Sequence, residues 1–443
     1  MSPHRPRRVR RLPGALRLVV RALPAWLLGL LLVPRLGHGS TSPWDAPMGY
    51  GHALWFGAHA LLRFAETYET VDPVSGMVFP LTGVGAALGT VMGLGSWFGW
   101  QILLIGVDAV AVTWLVQRAF GLLSGGPFDD GRRADGGAVC LVALAATALL
   151  SPVRTALVQG SPDPLCLALV VSALQPAVPR GRSDAEPSGR PRTELLRSSR
   201  AWAAARLGVA AAVWLWPLVL GVPPTVARVV RRRAHRGGQW ALAPAERLGA
   251  VSLACFALLT ACGFLVLPWD STDFWAMLVR GRIGGALLDP SCGGALGTAG
   301  RILGVTAGLV ACALAADRLR RRDPVMALAW TLAGLVLAVP GHWAGQGLPA
   351  LAAGICAAAA LRARSSAGTP ACAAVLCWAG WIALWPLGPD AGAVGALLGP
   401  LLGLAAVATG AFTVRRGAGP RPGAPPRRSL RGRRVSAGGR IVQ

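Results

Sequence analysis

The residues best suited to chemistry in this chain are acids, arginines and aromatic side chains gathered at the ends of long apolar runs. Five patches stand out: Trp44-Asp45 with Tyr50; Ser151-Pro-Val-Arg154 through Gly160-Ser-Pro-Asp163; Trp269-Asp-Ser-Thr-Asp-Phe-Trp275; Arg280-Gly-Arg282 through Asp289-Pro-Ser291; and Pro340-Gly-His-Trp343. A charge close to hydrocarbon is costly and usually has a reason to be there. Arginine offers phosphate a planar fork of donors, tryptophan can stack on a sugar face, and a carboxylate can take a proton from an attacking hydroxyl. Together these residue types suit a site that receives a lipid phosphate and a sugar. Each residue taken alone also has a plainer reading. An acid can cap a helix or stay solvated, an arginine can snorkel to the headgroups, and Trp269 and Trp275 fit an interfacial aromatic belt.

What must position these groups follows from composition. The chain has 443 residues, of which 53% are hydrophobic and 14% charged, with a mean hydropathy of +0.52. That is too apolar for an ordinary soluble enzyme of this size. The runs Met77–Trp97, Ile102–Val116, Leu248–Leu267 and Val394–Val414 are each long enough, or nearly so, to cross a hydrocarbon core that needs roughly 20 helical residues. The expected fold is an all-α, polytopic transmembrane bundle of about 10–13 helices. A disordered chain and a secreted disulfide scaffold are excluded.

Every basic residue is Arg, and the net charge is +25. The arginines cluster between apolar spans, as expected of cytoplasmic loops and of attraction to anionic headgroups, so nucleic acid is not an expected partner. The nine cysteines lie mostly within apolar runs, with no CxxC pair and no Cys/His ligand spacing. His52 and His59 lie seven residues apart and, with Asp45, admit a metal reading; a position at headgroup level is the better account.

Charge patterning divides the chain. Residues 1–21 carry seven Arg and no acid, and read as a cytoplasmic tail before an uncleaved first span at Ala22–Leu36. Residues 37–76 set Asp45, Glu66, Glu69 and Asp72 against Arg63 alone and form an outer loop, in which Ala53–Phe64 is too short to span and reads as an interfacial helix. Spans near 248–268, 300–316, 324–340, 346–361, 370–386 and 394–414 alternate so that Arg318–Arg322 and Arg362–Arg364 face the cytoplasm while a second outer loop, 269–299, faces out. The transmembrane domain is thus 22–414, and the tail 415–443, with nine Arg and no acid, reads as disordered and cytoplasmic. Two stretches resist this scheme. The number of crossings between 77 and 178 does not come out even, and the basic loops 179–200 and 228–247 are separated only by 201–227, where Trp214-Leu-Trp-Pro217 is suited to a hairpin.

Ser151-Pro-Val-Arg-Thr-Ala-Leu-Val-Gln-Gly-Ser-Pro-Asp163 resembles the Glu-Pro-Val-Arg-x-Thr-Leu-x-x-Gly-Gln-x-Asn motif of the glycosyltransferase family 87 mannosyltransferases, enzymes of the GT-C class that depend on polyprenyl-phosphate mannose. Asp45, Met77-Val-Phe-Pro80, Ala210–Pro217, Ser271-Thr-Asp-Phe-Trp275 with Arg282-Ile-Gly, and Val339-Pro-Gly-His-Trp343 follow the family's order from Asp45 to Ala358. The resemblance implies a membrane hexosyltransferase on the outer face of a bacterial plasma membrane. Its donor would be a polyprenyl-phosphate sugar, its acceptor an envelope glycolipid or glycan, and its other neighbours membrane lipid. It also implies Asp45 as the base, Arg154 as the leading phosphate contact with Arg280 or Arg282 behind it, and Asp163, Asp289, His342 and Tyr50 as further substrate contacts. Because a polyprenyl phosphate leaves readily as an anion, no metal, cofactor or general acid is required. The sequence departs from the family at Ser161 and Asp163, at Asp289-Pro-Ser291, at Trp214 where the family has Lys, and at Gly345-Gln346 where it has paired His. Those losses leave open a catalytically impaired relative that binds lipid-linked sugar or serves envelope assembly. A transporter is disfavoured by the absence of an inverted repeat and the gathering of polar residues at one face.

Overall fold

Where a helix starts in this chain is set by small polar caps. Thr82 accepts from Gly85 N at 3.1 Å, Ser96 from Gly99 N at 3.3 Å, Asp135 from Gly137 N at 3.4 Å and Asp323 from Met326 N at 3.2 Å. Each satisfies an amide that the first helical turn leaves without a partner. A computed structural model describes residues 13–36, 49–63, 67, 68, 70–76, 78, 79, 81–124, 135–174, 202, 205–212, 217, 244–280, 292–321, 323–339, 347–362, 369–384 and 392–417.

In chain order the named helices are α1 (Gly14–Leu36), α2 (Gly49–Leu62), α3 (Gly83–Gly93), α4 (Trp97–Leu123), α5 (Gly136–Leu149), α6 (Ser151–Gln159), α7 (Asp163–Leu174), α8 (Pro244–Val266), α9 (Pro268–Arg280), α10 (Cys292–Arg320), α11 (Pro324–Ala338), α12 (Leu348–Arg362), α13 (Thr369–Leu384) and α14 (Gly392–Gly417). The expected all-α helical bundle is what forms. Within the described residues, α1, α4 and α10 contain stretches long and apolar enough to cross a membrane singly; α5 and α6 do so as a pair bent by 81°. The bend falls at Leu150, whose backbone is extended, and Pro152 follows in the first turn of α6. Proline is tolerated there because that turn has no intrahelical acceptor for its missing N–H.

The apolar run Met77–Trp97 does not form a span. It yields only the eleven-residue α3, closed off by Leu94–Gly95 before Ser96 caps α4. The polar caps at Thr82 and Ser96 outweigh the continuous hydrophobicity, and α3 packs against α2. The short helix anticipated at Ala53–Phe64 is present as α2, but Tyr50, Leu54, Ala58 and Ala60 are buried in the bundle. The tails 1–12 and 418–443 and the stretch Trp214–Trp216 lie outside the described residues.

Two groups of helices build the core. In one, α1 packs on α4 and α5, with Trp26 donating to the Ile102 carbonyl at 3.1 Å. In the other, α10 and α11 approach closely through Gly308 and Gly334; a Cβ on Gly334 would stand 2.8 Å from the Ala311 Cβ. Small residues at a crossing are how membrane helices gain packing contact. Trp330 on α11 and Trp378 on α13 are fully buried behind them. The groups join where α12 meets α4 and α7, and where α13 meets α6. At one end of the bundle Arg21 abuts Gly136, and Arg362 donates to the Leu123 carbonyl.

Candidate active site

Beside the middle of α4, where Asp108 stands, a polar cluster is buried inside apolar surroundings. α6 presents Ser151, Arg154 and Thr155 on one face, since residues three and four apart on a helix are neighbours. Ser151 Oγ, Arg154 Nε and Thr155 Oγ1 are all buried and have no hydrogen-bond partner among the described residues. No side chain caps the start of α6 either. Gly160 then adopts the left-handed conformation at φ +63°, which closes α6 and turns the chain into α7. A residue with a Cβ is strained there, so Gly160 sets the angle between the helices that carry Arg154 and Asp163.

Asp163 opens α7 at 2% exposure and accepts a hydrogen bond from Ser161 Oγ. Two further side chains come to it from other helices. Tyr50, on α2 and 4% exposed, has its phenol pushed well above its ordinary range, first by burial and then by the nearby Asp163 and Cys166. Tyr50 therefore remains a neutral hydroxyl. Asp108, on α4 and 2% exposed, lies within electrostatic reach of Asp163 and Cys166, and its Oδ2 has no hydrogen-bond partner. Buried polar atoms are nearly always satisfied in folded proteins, so a group of unsatisfied ones has the character of a site awaiting a polar ligand. A phosphate or a sugar hydroxyl would supply acceptors for Arg154 and the α6 hydroxyls, and donors for the carboxyls.

Asp108 escaped the sequence reading because it interrupts a run, Ile102–Val116, that is otherwise apolar. The signal was nonetheless there, since an ionisable residue inside a span is a candidate functional group wherever it occurs. Of the residues expected at the site, Tyr50 and Asp163 are brought together, and Arg154 stands on the helix leading into Asp163. Asp45, Arg282, Asp289 and His342 lie outside the described residues. Gly347, where the chain resumes after 340–346, packs on Pro152 of α6, with 3.2 Å between its would-be Cβ and the ring.

A layer built from α2, α3, α9 and residues 67–82 covers this cluster. His52 Nδ1 lies 2.8 and 2.9 Å from the two oxygens of Asp72, which also accepts from Val74 N, Ser75 N and Ser75 Oγ. The Asp72 carboxyl is held below its ordinary range: burial works against its charge, but the bonds from His52, Ser75 and Val74 outweigh it. The His52 ring meets Trp97 edge-on at 4.9 Å, while His59 stacks on Trp55 at 5.5 Å and pairs with the Gly93 carbonyl. Both histidines thus have structural partners, and the described residues contain no group of three metal-ligating side chains. Tyr68 donates to the Leu81 carbonyl at 2.6 Å and is held neutral by burial and by Asp270 and Asp273 of α9. Trp269 is 82% exposed, as a belt residue would be, and Trp275 packs on Phe274.

Comparison with known proteins agrees with this geometry. No curated protein and no solved structure matches the chain. The family model of glycosyltransferase family 87 matches residues 83–340, more than half of the sequence, from the start of α3 to just beyond the end of α11. That stretch contains Asp108, Arg154 and Asp163. With a helical bundle holding spans apolar enough for a membrane and a buried polar cluster between them, the chain belongs to glycosyltransferase family 87 and is a membrane glycosyltransferase.

Proposed function

We propose that this enzyme transfers a hexose, mannose being the first choice, from a polyprenyl-phosphate carrier to a glycolipid or glycan of the cell envelope, on the outer face of a bacterial plasma membrane. The observation that carries the reading is the buried Arg154 Nε, without a partner among the described residues, on a helix whose Ser151 and Thr155 hydroxyls are in the same condition. A guanidinium in that condition suits an anionic oxygen more than any neutral group. In the reaction, the acceptor oxygen attacks the anomeric carbon and its proton passes to the Asp45 carboxylate. The bond from that carbon to the phosphate oxygen breaks, and polyprenyl phosphate departs with the electron pair. Arg154 stabilises the charge that develops on the leaving phosphate. Tyr50 and Asp163, with Arg282, Asp289 and His342, orient sugar and phosphate. The Arg-rich loops support an outward-facing site, because positive loops favour the cytoplasm.

Trp214 and Gly345-Gln346, standing where the family has Lys and paired His, favour a second reading in which the chain binds lipid-linked sugar without transferring it. The full chain reconstituted with radiolabelled polyprenyl-phosphate mannose and an envelope lipid extract separates the two. Transfer is expected, falling about 100-fold or more in Arg154→Ala, the usual loss when one stabilising donor is removed. It should also fall to background in Asp45→Asn. Donor binding without turnover would establish the second reading, and transfer unchanged in both variants would refute the first.

A further inference from the structure

Beside the polar cluster, a groove of about 350 Å³ runs between α4, α7 and α12, its inner end lined by Leu150 and Val153, which flank Ser151 and Arg154. Among the described residues its lining is apolar except for one cation, Arg118. It follows α4 from Val112 to Leu123, a rise of about 16 Å at 1.5 Å per residue, which is the depth of roughly one leaflet of a 30 Å hydrocarbon core. Two rim residues, Val142 on α5 at 42% exposure and Ile355 on α12 at 36%, open it sideways. The end away from Arg118 is closed by the buried Val153 and Leu348.

The walls of such a groove offer dispersion contacts to a hydrocarbon chain and little to water. Charge decides which chain. Arg154, the phosphate contact of the transfer site, does not line the groove. The cation that does is Arg118, set over the Trp114 ring at 4.8 Å, at the end where Arg362 meets the Leu123 carbonyl and Arg21 meets Gly136. Arginine binds phosphate through a rigid fork, and basic side chains near an anionic membrane surface are drawn to its headgroups. We infer that the groove is a binding site for an anionic phospholipid, its phosphate on Arg118 and one acyl chain lying between α4 and α12. This lipid is separate from the sugar donor and enters from the opposite membrane face.

The test uses full-length protein purified in detergent and stripped of lipid. Phosphatidylglycerol and phosphatidylcholine with the same acyl chains, and undecaprenyl phosphate, are each added and followed by native mass spectrometry and by thermal unfolding. Phosphatidylglycerol is expected to bind in one retained copy and to raise Tm, with at least tenfold weaker binding in Arg118→Gln. Ile355→Trp, at the exposed rim where a larger side chain does not crowd the core, should abolish that binding. Sugar transfer at saturating donor should be unchanged in both variants. Equal retention of both phospholipids, or retention indifferent to Arg118→Gln, would overturn the site. So would loss of undecaprenyl phosphate binding in Ile355→Trp with phosphatidylglycerol binding intact, since the groove would then belong to the donor. The readout is binding, so the outcome does not depend on whether transfer is observed.

Discussion

Replacing Asp72 tests how the layer over the site is held. The carboxylate, 1% exposed, accepts from His52 Nδ1, from Val74 N at 3.1 Å, from Ser75 N at 3.2 Å and from Ser75 Oγ. In Asp72→Ala the amide of the exposed Val74 can turn to water, but Ser75 is fully buried, so its N–H and hydroxyl lose their acceptor in a dry position. At roughly 1–3 kcal/mol for each buried polar group stranded, the expected cost is about 3 kcal/mol. Asp72→Asn keeps one acceptor oxygen, enough for Ser75 or for Val74 but not for both, and loses the charge, for about 1–2 kcal/mol. Hydrogen exchange of α2, read by mass spectrometry in nanodiscs, should accelerate about 100-fold in the Ala variant, following the opening free energy. The effect has a pH signature. Because the folded carboxyl sits below its ordinary range, the stability it contributes is complete above the unfolded value near pH 3.9 and disappears as pH falls through the lower folded value. The gap between parent and Ala variant should therefore be flat with respect to this group from pH 5 to 8 and close only below about pH 4. Exchange of α2 unchanged within twofold in Asp72→Ala would refute the argument that this cluster pins the helix carrying Tyr50.

Asp108→Leu should raise thermal stability by about 1–3 kcal/mol, since it replaces a buried carboxyl, one oxygen of which has no partner among the described residues, by an apolar group of similar size, while transfer of labelled sugar falls. A lower Tm with full transfer would show that Asp108 is structural. Gly160→Ala forces a Cβ into the left-handed region and should cost roughly 1–2 kcal/mol, read as a lower Tm, with Gly160→Asn milder. Equal Tm for all three would mean that the turn between α6 and α7 is not held at Gly160. Gly334→Leu should cost about 1–3 kcal/mol by overpacking α11 against Ala311 and the Gly308 carbonyl, and its Tm against that of the parent tests whether the α10–α11 contact is as tight as described.

Much of the fold was legible in the sequence because, in a bilayer, hydropathy and charge act locally. A long apolar run must become a helix to satisfy its own backbone, whatever lies around it. The segments near 248–268, 324–340, 346–361 and 370–386 reappear as the helices α8, α11, α12 and α13 with ends shifted by a few residues, though their apolar stretches are shorter than those of α1, α4 and α10. The family likewise follows from residue order along the chain, and the motif around Arg154 announced it. Tertiary structure alone decided the rest. It shortened Met77–Trp97 to α3, because two hydroxyl caps and a packing surface on α2 were worth more than continuous hydrophobicity. It set Tyr50, Asp108 and Asp163 within reach of one another from α2, α4 and α7, a meeting that no spacing along the chain encodes. It also opened a lipid-sized groove beside Arg118. Local sequence dictates which segments leave water; which buried polar atoms find partners depends on how those segments cross, and that is settled only when the helices pack.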